Sequence, residues 1–194
     1  LAADLSKYAI PSISPKAKVD HLLPETLKDL DPQSLTIIPF GGCGEFGMNM
    51  TAYIYGGKLL LVDYGLKFPD ATKLGIDSLI PEADDVLSHF GGVTAYILTH
   101  GHEDHIGAMP FLVPKWPAPV YGTAWTLELV KDKFLRHNRN DLVPLLHIVK
   151  AGEQLNLPGG FVCDWLHVNH SIPMTCAVTI KTDAGNVFHT GDFK

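Results

Sequence analysis

The sequence predicts an α/β protein with a mixed sheet, and three observations support this prediction. Short β-rich runs joined by glycine pairs begin at Ser34. A hydrophobic run from Thr94 to Leu98 leads straight into a turn dense in histidine, which predicts a strand followed by a helix. Further along, Thr123 to Arg136 has the pattern of an amphipathic helix.

The first half of the chain begins with a segment that resists regular structure. Residues 1–33 contain four prolines among charged and small residues, so we interpret them as an N-terminal extension or linker, and residues 34–194 as one domain. Three strands follow in the runs SLTIIPF, TAYIY and KLLLVD. The pair Gly56-Gly57 between the last two runs predicts a tight hairpin.

The later segments alternate between strand and helix patterns. We expect residues 106–113 to form a short helix that Pro114 ends, and the run APVYG to form a strand before the amphipathic helix. Three more strands are predicted at residues 161–168, 176–182 and 187–189.

Size and composition limit the class of protein. A chain of 194 residues with 46% hydrophobic residues is long enough for one domain with a sizeable core. No apolar run approaches the ~20 residues that span a bilayer, and no secretory leader is recognisable, so we expect a cytoplasmic protein without a membrane partner. Cys43, Cys163 and Cys176 form no CxxC pair, and we expect buried thiols instead of disulfides or a thiolate zinc site.

The charge of the chain argues against nucleic-acid binding by overall electrostatics. The formal net charge is −6, whereas phosphate binding normally draws on a basic face. The exception is a basic stretch whose spacing would place several cations along one side of a helix: Lys131, Lys133, Arg136, His137 and Arg139. A solvated helix face is the simpler explanation of this stretch.

The strongest functional signal is the segment HGHEDH at residues 100–105, which holds three imidazoles and two carboxylates directly after a hydrophobic strand. Such ligands suit zinc or manganese. His100 and His102, two apart in an extended turn, can point the same way. Asp104 and His105 would face a neighbouring position, where a second ion ~3.5–4 Å away would bind.

HGHEDH matches the HxHxDH signature of the metallo-β-lactamase fold, and the surrounding LTHGHEDHIGAMPFL resembles β-CASP ribonucleases of the ribonuclease J type. The resemblance extends from about residue 35 to the last residue, through GGCGEFGMNM, APVYGT, VNHSIP and HTGDFK. It implies a metallo-β-lactamase-like αββα sandwich. It also implies that the sandwich is incomplete, because the β-CASP insertion and the C-terminal return of that family are not in this sequence.

The resemblance also implies a set of metal ligands, namely His100, His102, Asp104, His105, His170 and Asp192. In that set His100, His102 and His170 would bind one ion, while Asp104 and His105 would bind the second. The family carboxylate that bridges the two ions corresponds to the aspartate of HTGDFK.

The resemblance implies catalytic and supporting roles as well. Asp104, His105 and Asp192 would be the catalytic residues, and Asp104 would accept the proton of the attacking group. Asp63, at the end of KLLLVD, would support the histidine loop by hydrogen bonding without binding metal. A turn-forming aspartate before Gly65 is the alternative interpretation.

The reaction that the resemblance implies is hydrolysis of RNA phosphodiesters by two divalent ions, zinc first, with manganese or magnesium as alternatives. The protein would act as a 5′-3′ exonuclease, an endonuclease or both, in RNA processing and decay. We expect the full-length protein to form a homo-oligomer and to have partners in RNA-decay complexes. The same ligand cluster also serves lactonases and thioesterases, so a small-molecule hydrolase or a non-catalytic metal-binding scaffold stays open.

Two further segments need an interpretation. Residues 42–47 fit GxGxxG, the motif of a dinucleotide-binding fold. That fold requires a helix after the motif, whereas the β-branched and aromatic run MNMTAYIY follows here. We therefore expect a glycine-rich turn beside the metal cleft, in which Asn49 either faces the cleft or serves the turn. His167 and His189 receive no metal role.

Because HTGDFK is the last segment and one further histidine ligand of the family pattern is missing, we expect this chain alone to bind its second ion weakly and to cleave RNA poorly.

Overall fold

The computed structural model describes Leu27, residues 30–70 and residues 72–194. The chain divides into two units, Leu1–Leu30 and Asp31–Lys194, and the second contains every element described below. The predicted extension over residues 1–33 lies almost wholly outside the described residues. Its boundary with the domain therefore stays a prediction.

The first sheet has six strands in the order β1-β2-β3-β4-β5-β6. These are β1 (Thr36–Gly41), β2 (Met50–Tyr55), β3 (Lys58–Val62), β4 (Ala95–Ile97), β5 (Val120–Gly122) and β6 (Leu146–Ile148). The first three strands pair antiparallel and the rest pair parallel, so the sheet is mixed, as the sequence predicts. Gly56 and Gly57 both have positive φ, at 57° and 69°, which confirms the tight hairpin between β2 and β3.

The second sheet has four antiparallel strands in the order β10-β9-β8-β7. These are β7 (Gln154–Leu157), β8 (Phe161–His167), β9 (Cys176–Thr182) and β10 (Gly185–His189). One face of this sheet is apolar and packs on the first sheet. Its other face carries polar residues such as Asp164, which accepts hydrogen bonds from Thr179 and Lys181.

The hydrophobic core lies between the two sheets. Leu60 and Ile97 of the first sheet pack in one cluster with Phe161, Trp165 and Val178 of the second. The alternate residues of the first sheet, such as Leu61 and Tyr96, are also fully buried, so this sheet is covered on both faces. Trp165 donates its indole N–H to the carbonyl of Leu98 at 3.2 Å, which satisfies the one polar group of this buried ring.

Four α-helices are found in the described residues: α1 (Asp84–His89), α2 (Glu103–Ile106), α3 (Met109–Leu112) and α4 (Ala124–Arg136). A 3-10 helix at Asn140–Leu145 follows α4. Helix α4 contacts β5 and β6 of the first sheet. The described residues thus form helix, sheet and sheet layers, which is an incomplete αββα sandwich, as predicted.

Two expectations about local structure were wrong, and three short elements were not predicted. The helix expected over residues 106–113 is confined to α3, and residue 106 ends α2 instead, since Pro110 lacks an N–H and lies in the first turn of α3. Strands β6 and β7 and helix α1 were not predicted, because each is short and has little periodicity. Cys43 is exposed in a glycine-rich surface loop, whereas Cys163 and Cys176 are buried as expected.

Among the described residues, no helix is both long enough and apolar enough to cross a membrane.

Candidate metal centre

Four chain segments that carry the predicted ligands and the supporting Asp63 leave their strands at the same edge of the sandwich. Strands β3 and β4 are parallel neighbours, and they end at Asp63 and at the HGHEDH segment. Strands β8 and β10 both pair antiparallel with β9, so they also run in one direction, and they lead to His170 and Asp192. The two sheets therefore bring residues distant in sequence to a single place.

The first group of potential ligand atoms comes from His100, His102, His170 and Asp192, all within 4.8 Å of one another. His102 Nδ1 lies 3.0 Å from His100 Nε2 and 3.2 Å from His170 Nε2. Asp192 Oδ2 is 3.5 Å from His170 Nε2 and 4.0 Å from His100 Nε2. Ligands of a tetrahedral zinc ion are roughly 3.3 Å apart, so this donor set fits zinc in both chemistry and spacing.

The second group comes from Asp104, His105 and Asp192. His105 Nε2 lies 3.8 Å from Asp104 Oδ2 and 3.4 Å from Asp192 Oδ1. Asp192 therefore presents Oδ2 to the first group and Oδ1 to the second. A carboxylate between two ligand groups is the arrangement that a bridged pair of ions requires.

Asn49, from the glycine-rich loop, holds the loop that carries the second group. Its backbone N–H donates to the carbonyl of Asp104 at 2.9 Å, and its side-chain amide lies 3.2 Å from Asp104 Oδ2. The same amide is 3.1 Å from His105 Nε2. The loop thus borders the metal centre, as the sequence indicates, and the side chain of Asn49 faces it.

Asp63 lies beneath the histidine loop and is almost completely buried, with 1% exposure. Its Oδ1 accepts the backbone N–H of Thr99 at 2.9 Å, and its Oδ2 lies 2.8 Å from both Thr99 Oγ1 and His105 Nδ1. A carboxylate that holds one ring nitrogen fixes the imidazole tautomer and leaves Nε2 free for a metal. The backbone of Asp63 has a φ of 59°, which is uncommon for a residue with a side chain.

Thr99 is a functional residue that the sequence reasoning did not identify. The carboxylate of Asp63 only accepts hydrogen bonds, so the Thr99 hydroxyl donates to it. That hydroxyl then accepts from His100 Nδ1, 3.0 Å away. This chain of hydrogen bonds leaves His100 Nε2 unprotonated and directed at the first ligand group. A threonine before a histidine is too common a pair to signal this role.

The ionisation of the cluster follows from burial and from neighbouring charges. Burial and the nearby His105 lower the pKa of His100 to about 4. Burial also lowers the pKa of His105, but attraction to Asp63 and hydrogen bonds to Asp192 and Asp63 outweigh it and raise that pKa to about 10. The hydrogen bond from His105 is the main cause that lowers the pKa of Asp192 to about 2. At neutral pH His100 is thus neutral, Asp63 and Asp192 are ionised, and His105 carries a proton that a metal ion would have to displace.

Two glycines allow close contact between the segments of the centre. A Cβ on Gly65 would lie 1.6 Å from the carbonyl oxygen of Asp104, so only glycine fits there. Gly191 has a φ of 55°, and a Cβ there would meet Thr99 at 3.1 Å. The backbone before Asp192 therefore packs directly on the first sheet's histidine loop.

The remaining candidates from the sequence lie elsewhere. His167 is exposed at the end of β8 and belongs to neither ligand group. In the basic stretch on and after α4, the lysines and arginines each pair with an acidic side chain: Lys131 with Glu128, Lys133 with Glu103, Arg136 with Asp132 and Arg139 with Asp141. This pairing favours the interpretation of a solvated helix face, since the charges offset one another.

The fold and the site define a class of protein. The family described as the beta-lactamase superfamily domain matches residues 77–194. The solved structure of the metallo-beta-lactamase fold protein YhfI from Bacillus subtilis superposes with a TM-score of 0.53 at 24% identity, covering 81% of this chain and 61% of that one. The chain belongs to the beta-lactamase superfamily and has the metallo-β-lactamase fold.

Within that superfamily, the sequence is similar to ribonuclease J. The ribonuclease J of Mycolicibacterium smegmatis is 41% identical over 166 residues, which is 85% of this chain and 29% of that protein. The ribonuclease J of Thermus thermophilus is 38% identical over 163 residues, 81% of this chain and 28% of that protein. The chain thus spans less than a third of the length of these curated relatives.

Proposed function

We propose that residues 34–194 form the metal-binding domain of a ribonuclease that hydrolyses RNA phosphodiesters in RNA processing and decay. The observation that carries this proposal is the position of Asp192, whose two carboxylate oxygens face two separate groups of ligand atoms. Two-ion sites of this kind suit phosphodiester hydrolysis, in which an attacking and a leaving oxygen both need stabilisation.

The donor set supports two divalent ions, with zinc as the first choice and manganese or magnesium as alternatives. Four imidazoles and two carboxylates make up the two groups: His100, His102, His105, His170, Asp104 and Asp192. Imidazole-rich sites favour zinc over the harder magnesium ion. Bound divalent ions would supply Lewis-acid chemistry here, because such ions lower the pKa of water and polarise phosphoryl oxygens.

The side chains of the chain itself have distinct tasks in this proposal. Asp63 and Thr99 hold the two buried histidines in the tautomers that bind metal. Asp104 is partly exposed and hydrogen-bonded by Asn49, so it is placed to accept the proton of the attacking group. Asp192 is 44% exposed, so it forms the open side of the site, where a substrate enters.

RNA as substrate is supported by similarity to ribonuclease J, both in sequence and in the motifs that surround the ligands. Exonuclease action from the 5′ end and endonuclease action both belong to the proposal, as do a cytoplasmic location, a homo-oligomer and RNA-decay partners. The chain alone should bind its second ion weakly, since Asp192 is half-exposed. It should also cleave RNA poorly, since the basic stretch on and after α4 has its lysines and arginines paired with acidic side chains.

Metal analysis combined with a cleavage assay tests this proposal. The intact protein should contain two divalent ions per chain and should degrade 5′-monophosphorylated RNA, while leaving nitrocefin and lactones untouched. Hydrolysis of those small molecules without cleavage of RNA would reject the ribonuclease and favour a small-molecule hydrolase. Bound metal without either activity would leave a metal-binding scaffold.

A further inference from the structure

A hydrogen bond between the two sheets lies close to the metal centre. The hydroxyl of Tyr53, on β2, is 2.8 Å from Nδ1 of His189, the last residue of β10. Their rings meet edge to face, with centroids 6.0 Å apart and an interplanar angle of 77°. The sequence reasoning gave neither residue a role, because residues 136 positions apart reveal no pairing in a single sequence.

The protonation of this pair follows from its surroundings. Tyr53 is 3% exposed, and burial raises its pKa to about 12, so its hydroxyl keeps the proton. Burial also lowers the pKa of His189, which favours the neutral ring. One hydrogen bond therefore joins two neutral groups: the tyrosine donates when the ring proton is on Nε2 and accepts when it is on Nδ1.

The pair lies next to the ligands of the second group. A cavity of about 270 Å³ is lined by both Tyr53 and His189 together with Asp63, His105 and Asp192. His189 is not a member of either ligand group, and its Nδ1 is already bonded to Tyr53. A supporting role is therefore a better fit than a direct role as ligand.

The segment that needs support is the one that carries Asp192. Among the described residues β10 pairs only with β9, so it is an edge strand, and it ends three residues before Asp192. Among the described residues, the ion-pair partners of the Asp192 carboxylate are the candidate ligands His100, His105 and His170. Its position is therefore set by the backbone around it. On one side this backbone is held by the pairing of His189 with Val178 and by the Tyr53–His189 hydrogen bond, and on the other by Lys194 N–H donating to Asn169 O at 2.8 Å.

We propose that Tyr53 and His189 are positioning residues for the bridging carboxylate of Asp192. Their hydrogen bond fixes the end of β10 against the first sheet, so that the two oxygens of Asp192 stay directed at the two ligand groups. Neither residue binds an ion or contacts substrate. This inference rests on the metal site of the proposed function but not on RNA as its substrate.

Cobalt binding tests the inference without an activity assay. The intact protein, freed of metal, is titrated with Co²⁺ and followed by visible absorption, which reports both affinity and ligand geometry. Tyr53→Phe keeps the ring and removes the hydroxyl, and it should weaken Co²⁺ binding about 10-fold and change the spectrum, as loss of a supporting hydrogen bond does at metal sites. Tyr55→Phe, on the same strand but with its ring against Phe161, is the matched control and should bind as the wild type does.

Two changes at His189 separate positioning from simple structural support. His189→Asn keeps an amide that can accept from or donate to the Tyr53 hydroxyl, so it should retain most of the affinity, whereas His189→Leu should lose as much as Tyr53→Phe does. Thermal unfolding of the metal-free variants is recorded beside each titration. A contact that only stabilises the fold would lower the Tm and leave the Co²⁺ affinity of the folded protein unchanged.

Several outcomes would overturn the inference. Wild-type affinity and spectrum in folded His189→Leu would do so, even if Tyr53→Phe failed to fold. Equal losses in His189→Asn and His189→Leu would also contradict it, since they would show that the hydrogen bond to Tyr53 does not matter. A wild-type protein that binds no Co²⁺ would refute the metal site and this inference together, whereas bound Co²⁺ without RNA cleavage would refute only the ribonuclease.

Discussion

The two sheets contribute to the metal centre in different ways. Two ligands from the first sheet are buried, with His100 at 0% and His105 at 2% exposure, and each has a hydrogen-bonded partner on its other ring nitrogen. Ligands from the second sheet are more open, with the side chains of His170 at 13% and Asp192 at 44% exposure. The first sheet thus builds a site that is organised before metal binds, and the second sheet closes it with ligands that are held mainly by their backbone.

This difference predicts that changes on the first sheet harm both folding and metal binding, and changes on the second sheet harm metal binding alone. The buried partner of the histidine loop should show the largest effect. Asp63→Ala leaves His105 and Thr99 without their acceptor in a buried place, so it should lower the free energy of unfolding of the metal-free protein by about 3–5 kcal/mol. Urea unfolding measures this loss.

An aspartate of the second sheet is the control for that prediction. Asp164 pairs with Lys181 on the outer face, where solvent screens the pair, so Asp164→Ala should cost less than about 1 kcal/mol. If both variants lost the same stability, the burial of Asp63 would not be what makes the first sheet special.

Removal of a ligand whose burial lies between that of Asp63 and that of Asp164 should reduce metal binding more than it reduces stability. His102 is partly exposed and lies 3.0 Å and 3.2 Å from the metal-facing nitrogens of His100 and His170. His102→Ala should remove most bound metal and activity from the intact protein, with a change in unfolding free energy of only about 1 kcal/mol. Metal content after dialysis and the urea midpoint give the two numbers, and retention of metal would contradict the assignment.

The smallest effect is expected at the histidine that lies nearest in sequence to a ligand without being one. His167 is exposed at the end of β8, and no ligand group includes it. His167→Ala should leave metal content and RNA cleavage nearly unchanged. Losses as large as those of His102→Ala would show that the strand end was misinterpreted.

Sequence reasoning predicted the parts of the molecule that are local. HGHEDH carries four ligands in six residues, so its spacing alone indicates a metal site, and the Gly56-Gly57 hairpin follows from turn chemistry. His170 and Asp192 were reached only through the resemblance, because single ligands far apart in sequence have no pattern of their own.

The parts that were missed depend on tertiary contacts. Thr99 and the Tyr53–His189 pair become visible only in the folded chain, since their partners come from different strands. The exposure of Cys43 is likewise decided by how the chain packs around the site. Periodicity in a sequence carries no information about such contacts.

The central claim is that one carboxylate joins two ligand groups, and the metal stoichiometry of Asp192 variants tests it most directly. The intact wild-type protein should retain two divalent ions per chain after dialysis. Asp192→Ala should retain at most one, because its loss leaves only Asp104 and His105 in the second group. Two firmly bound ions in Asp192→Ala, or a single ion in the wild type, would contradict the account.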